Sequence, residues 1–251
     1  MDLFTSAPIL IIILVCAGLL YWLTYRVRSG RSVSLRPLDG YEALRAQRAK
    51  SVETGRGVHF SVGRANLSGS ANPTSIAALS SFDYIATDAC ASDVPPMTTT
   101  GDGSLMLAAQ DSLRAAYDAV GRQHDYSPHM AQYIAAENQP MTYAAGTSDI
   151  VNQGNLVSNL MIGRFGAEIA IVTESATRGG MEQVVGSDDP TAMALAVVAT
   201  DKVLLGEEVF VSGAYLHGEP AQLASIQLQD ILRVLAIVGI LLATLFYLVV
   251  G

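Results

Sequence analysis

MTTTGDGSLMLAAQDSLRAAYDAVG, residues 97–121, changes its structural period within five residues. Met97–Thr100 is short and rich in β-branched side chains, as a strand requires. Beyond the turn TGDGS, Leu105, Ala109, Leu113, Ala116 and Val120 recur at helical spacing on one face, and Gly121 supplies the stop. The spacing predicts a helix over 104–121, entered directly from a strand.

Outward from this stretch the alternation continues. HFSV (59–62), MTYAA (141–145), EIAIVT (168–173) and EQVV (182–185) read as further strands, and 74–85, 149–162 and 190–200 as helices. Alternating strands and helices imply a mainly parallel sheet covered on both faces. The expected fold is α/β: a Rossmann-like three-layer domain over residues 59–219, its strand order undetermined.

Both ends are apolar. Between Asp2 and Arg26 lie 23 uncharged residues, and Val234–Gly251 carries no charge. Each run is about long enough to cross a ~30 Å hydrocarbon core at ~1.5 Å per helical residue. A signal peptide would place basic residues before the apolar run and a small-residue cleavage site after it. Here Asp2 precedes and Tyr-Arg-Val-Arg follows, so residues 1–25 read as an uncleaved anchor. Residues 220–251 open with Pro220, a good first-turn residue, and meet no breaker before Gly239, which predicts one long helix continuing into a second span. Ala236, Gly239 and Ala243 form a small-residue face of the kind that lets transmembrane helices approach closely, although such spacing also arises by chance.

Tyr21, Trp22 and Tyr25 suit an interfacial aromatic belt, and Arg26, Arg28, Arg31 and Arg36 follow at once. Arg26–Arg64 holds nine Lys or Arg against three acids, whereas nothing basic precedes the anchor. Positive charge is retained in the cytoplasm, so the expectation is a bacterial inner-membrane protein with both termini outside and the main domain inside. Residues 26–58 then form a basic juxtamembrane segment, its helical stretch YEALRAQRAK lying near the headgroups. Residues 65–233 carry six bases and nineteen acids, too acidic to neutralise a nucleic-acid backbone.

Candidate sites fall in the turns VGRANLSGS, TGDGS, AGTSD, TESATRGG and GSDDP, read as places where strand ends meet helix N-termini and backbone N–H groups converge on anions. Arg64, Asp102, Ser104 and Arg178 are the side chains there suited to a small anion or nucleotide. Helix capping by Ser, Thr and Asp explains the same composition, and the arginines could instead pair with Asp102, Asp188 or Asp189. No turn matches a phosphate-binding loop or a dinucleotide fingerprint, and no G-x-S-x-G nucleophile elbow occurs. His124 and His129, with Asp125 beside the first, lie in a Pro-containing loop and not on a helix face, with no further ligand implied, so no metal or cofactor is expected. Cys16 and Cys90 offer no disulfide framework, and Glu207 and Glu208 after Gly206 read as a helix start.

Taken together, GRGVHFSVGRANLSG, PPMTTTGDGSLMLAAQDSLRAAYDAVG, YAAGTSDIV, FGAEIAIVTESATRGG and ATDKVLLGEEVFVSGAYL ahead of LQDILRV are similar to an uncharacterised bacterial (Chloroflexota-type) two-span membrane family, defined only as a domain of unknown function. The resemblance covers nearly the whole chain and implies a bitopic α/β architecture, but no activity and no functional residue. With no catalytic signature, the expected function is a membrane-anchored scaffold or assembly protein that meets the lipid bilayer and further copies of itself. The alternative is a tethered sensor or enzyme binding a small anionic metabolite or nucleotide at the strand ends.

Overall fold

A computed structural model describes residues 3–67 and 72–250. The chain divides into two compact units. One joins the residues up to Arg36 with those from Gly218 onward, and the other is Pro37–His217.

The first unit holds α1 (Leu3–Arg28) and α8 (Pro220–Val250). Ile9–Arg28 and Pro220–Leu248 are long and apolar enough to cross a bilayer, with mean hydropathies of 2.0 and 2.5. Their apolar side chains, such as Ile12, Leu14, Leu241 and Phe246, are exposed.

The second unit is an α/β sandwich. Its strands are β1 (Gly57–Ser61), β2 (Met97–Thr100), β3 (Ala131–Tyr133), β4 (Leu156–Ile162), β5 (Glu182–Ser187) and β6 (Val203–Leu205). All pair in parallel, in the order β3-β2-β1-β4-β5-β6. This is the order of doubly wound sheets, which reverses direction between the first and fourth strands. One face is covered by α2 (Asp39–Thr54), α3 (Asn72–Ala91) and α4 (Gly103–Ala119), which bury Tyr41, Leu44, Phe82, Ile85, Leu105 and Leu113 on Phe60, Leu160 and Val184. The other carries α5 (Pro140–Gln153), α6 (Ile169–Arg178) and α7 (Pro190–Ala199), with Tyr143, Val172 and Met193 against Met161 and Val185. Adjacent residues such as Val184 and Val185 serve opposite cores, as the pleat requires.

Several elements differ from expectation. MTYAA lies in α5: Pro140 fits a helical first turn, and Tyr143, Ala144, Thr147 and Val151 are buried at helical spacing. EIAIVT opens α6, where Ile169, Val172, Thr173 and Ala176 repeat every three or four residues. The helix expected over 149–162 ends at Gln153, and Leu156–Ile162 is instead β4, buried at every position. The YEALRAQRAK stretch belongs to α2, whose Tyr41 and Leu44 are fully buried within the α/β unit. Tyr41 also stacks on Tyr215, with ring centroids 5.1 Å apart, and its hydroxyl donates to the Glu208 carbonyl at 2.7 Å.

Candidate functional site

In open parallel sheets the crevice beyond the strand carboxyl ends, where the order reverses, is the usual ligand site. Here that point lies between β1 and β4, and the two strands end alike, in Gly63-Arg64 and Gly163-Arg164. Gly63 has φ +92° and Gly163 φ +154°, conformations that L side chains rarely adopt. A Cβ on Gly63 would stand 2.7 Å from the Arg164 nitrogen, and one on Gly163 2.6 Å from the Val62 carbonyl oxygen. The turns therefore cross with nothing between their backbones.

Backbone hydrogen bonds join the strand ends in a row. Gly101 N–H donates to Gly63 (3.0 Å), Arg64 to Arg164 (3.1 Å) and Gly163 to Gly186 (3.0 Å). Arg64 lies across this row, its stem so close to Gly101 that a Cβ there would meet Arg64 Cγ at 2.8 Å. Its Nε binds Glu168 Oε1 at 2.6 Å, and Nη1 donates to the Glu137 carbonyl. The Arg64 and Glu168 side chains are only 12% and 2% exposed. Glu168 also accepts from Gly166 N–H at 2.8 Å and stands just before α6, whose positive dipole end favours a carboxylate. Arg164 projects outward, its Nη1 at 3.6 Å from Asp188 Oδ2, and remains 42% exposed. The other oxygen of Asp188 is buried, with no hydrogen-bond partner among the described residues.

Asp102 and Ser104 are nearby but cap a helix. Asp102 Oδ1 accepts from Ser104 N (2.9 Å) and Leu105 N (3.0 Å), and the Ser104 hydroxyl donates to the same carboxylate. Asp189 caps α7 likewise through Thr191 N and Ala192 N. Arg178 is not part of this group: it ends α6, ahead of the start of β5, 79% exposed and paired with Glu174 at 2.8 Å. TESATRGG is thus the end of a helix and AGTSD lies within α5, so neither is a strand-end turn. Ser68, Gly69 and Ser70 of VGRANLSGS lie outside the described residues.

The remaining candidates are scattered. Tyr21, Trp22, Tyr25, Arg28 and Arg31 are exposed, and the Arg26 guanidinium lies 4.4 Å over the Trp22 ring. Ala236, Gly239 and Ala243 are exposed along α8. No group of three His, Cys, Asp or Glu among the described residues is placed to hold a metal, and Asp125 pairs with Arg122 at 2.8 Å. Cys90 is buried, which pushes its thiol up to about 11. Glu208 accepts from Leu205 N–H at 2.9 Å, as a helix-start carboxylate should.

Beneath the crevice runs a polar row that sequence reasoning missed. His59 Nδ1 is 2.6 Å from Asn159 Oδ1 and Nε2 is 2.9 Å from Thr99 Oγ1. Asn159 Nδ2 donates to Gln183 Oε1 at 3.1 Å, and Gln183 Nε2 donates to the Thr173 carbonyl and Thr177 hydroxyl. These directions give His59 its proton on Nδ1 and make Nε2 the acceptor of Thr99 O–H. Burial holds the ring neutral, pushing it down to about 4, although the Asn159 bond opposes the shift. Tyr143 closes the row at 3.3 Å from Thr99 and on the Ser61 hydroxyl. Strand register could have revealed the row, since Asn159 pairs with both His59 and Gln183. Chemically the row is closed: every ring nitrogen has a partner and none faces solvent.

Fold and strand-end geometry together define a doubly wound parallel α/β domain in a chain that also carries two helices long and apolar enough for a bilayer. Residues 3–251 match the domain of unknown function DUF6754, and the chain belongs to that family. No curated protein and no solved structure matches it.

Proposed function

We propose that this protein is a membrane-anchored, self-associating scaffold or assembly protein. Its Rossmann-like domain works in the cytoplasm of a bacterial cell, tethered to the inner membrane by α1 and α8, with both termini outside. The observation that carries this reading is the Arg64–Glu168 pair. The partly buried cation at the reversal point of the sheet, where a ligand's phosphate or carboxylate would be held, is already engaged by a buried carboxylate and a carbonyl. The exposed Ala236, Gly239 and Ala243 on α8 support association within the bilayer. The Arg26–Arg36 cluster supports the orientation. Light scattering of the full chain in mild detergent tests the reading. A defined oligomer that weakens in Gly239→Leu is expected, and a monomer over a wide concentration range would sink it.

A second reading, a tethered sensor of a small anionic metabolite or nucleotide, draws on one feature. Arg164 is 42% exposed and only loosely paired with Asp188, at 3.6 Å, which leaves guanidinium donors open to an anion.

A further inference from the structure

Between α1 and α8, within their own unit, lies a cavity of about 320 Å³. Small-molecule pockets run from ~300 to ~1,000 Å³, so this one suits a headgroup rather than a whole lipid. Arg26 and Arg31 bring two cations to its wall, and Ser32 and Gln227 bring neutral hydrogen-bonding groups. Leu23, Val27 and Ile231 supply an apolar floor. The wall's acid, Asp230, lies 3.8 Å from Arg233.

The local chain explains why the arginines converge. Gly30, at φ +89°, ends α1 in the left-handed conformation, and the Arg31 N–H returns to the Arg26 carbonyl at 3.4 Å. That six-to-one closure folds Arg31 back over the last turn. Arg26 is held against Trp22, and neither arginine has a carboxylate partner among the described residues. Two cations without a direct ion pair, above apolar side chains and with the wall's one carboxylate turned to Arg233, at the end of an apolar run beside an interfacial tryptophan, match the layering of a phospholipid at its glycerol level.

We propose that this cavity binds the phosphate-bearing headgroup of an anionic phospholipid. The proposal rests on the reading of α1 as a membrane span. It adds to that reading a specific lipid site, distinct from general attraction of basic residues to an anionic surface. Arg26 and Arg31 hold the phosphate oxygens, Ser32 and Gln227 the headgroup hydroxyls, and Leu23, Val27 and Ile231 the first carbons of the chains.

The test reconstitutes the full chain in mixed phosphatidylcholine and phosphatidylglycerol, extracts it in mild detergent and counts retained lipid by native mass spectrometry. Wild type should keep phosphatidylglycerol in preference. The preference should fall roughly tenfold for each of Arg26→Gln and Arg31→Gln, the loss of one direct hydrogen bond to a charged group. Arg28→Gln removes the same charge from the same helix turn outside the cavity and should change it little. Equal losses in all three variants would reduce the effect to diffuse surface charge and overturn the site. So would equal retention of both lipids by wild type. Inorganic phosphate and glycerol phosphate form a second arm: displacement of the lipid by either at millimolar concentration would assign the cavity to a soluble phosphate instead. Circular dichroism confirms that each variant stays folded. Failure of α1 to span the membrane would register separately, as an N-terminus and an Arg26–Arg36 segment open to protease from the same face of sealed vesicles.

Discussion

After β1 the chain reads Gly63-Arg64 and after β4 Gly163-Arg164, and the two glycines cross so closely that neither tolerates a side chain. The arginines differ in what awaits them. Arg64 turns inward onto a carboxylate that is 2% exposed, whereas Arg164 turns outward to one at 3.6 Å that water also reaches. The same dipeptide at the same point of a pseudo-symmetric sheet is thus a structural clamp on one side and a surface cation on the other. What separates them lies elsewhere in the chain: the Gly166–Glu168 turn delivers a carboxylate to Arg64 before α6 begins.

The largest expected effect breaks the clamp. Glu168→Ala leaves Arg64, only 12% exposed, without its counter-charge and should cost about 3 kcal/mol, the low end for a broken buried pair, in chemical unfolding. The double variant Arg64→Met, Glu168→Leu should recover most of that, because a well-packed apolar pair avoids the desolvation of both charges. Gly163→Ala comes next, at roughly 3 kcal/mol, from backbone strain and the close approach of the Val62 carbonyl. A similar loss in an alanine variant of Gly103, which has open space around it, would show that the crossing is not the cause.

The polar row gives a pH-dependent version of the same contrast between inside and outside. His59 has a folded value of about 4 against an ordinary 6.5, so the unfolded chain binds the extra proton. Stability is therefore full above pH 6.5 and falls as the pH drops from 6.5 toward 4, by up to about 3 kcal/mol. Urea titrations at pH 7.5 and 4.5 should show the loss in wild type and little of it in His59→Gln.

The fold class was legible because MTTT and the helix after it announce their periods plainly. Errors came where a short apolar run fits both periods. EIAIVT looks β-branched, yet its buried residues are Ile169, Val172, Thr173 and Ala176, a spacing visible only when the window extends past Thr173. β4 was missed for the opposite reason. Ser158 and Asn159 interrupt its apolar run; Asn159 is tolerated because it is hydrogen-bonded on both sides within the sheet, whereas the Ser158 hydroxyl is buried with no partner among the described residues. The site was half legible. Arg64 was singled out from its turn, but Glu168, more than a hundred residues away, becomes its partner only through the pairing of β1 with β4. Arg178 falls outside the site because EIAIVT, β-branched as it is, opens a helix that carries this arginine to its far end.

Arg164 gives the smallest effect. Its pair with Asp188 is partly exposed, so Arg164→Gln should change stability by no more than about 1 kcal/mol. A larger loss would make the two arginines alike and remove the distinction drawn between their turns.

The most direct measurement of whether the strand edge is closed is a thermal-shift screen of nucleotides and organic acids against the full chain and Arg164→Gln. A ligand at ~100 times its dissociation constant stabilises by ~2.7 kcal/mol, well above detection. With Arg64 already engaged by Glu168, no anion should shift either protein. Stabilisation by one particular anion, lost in Arg164→Gln, would contradict the account and make this edge a binding site.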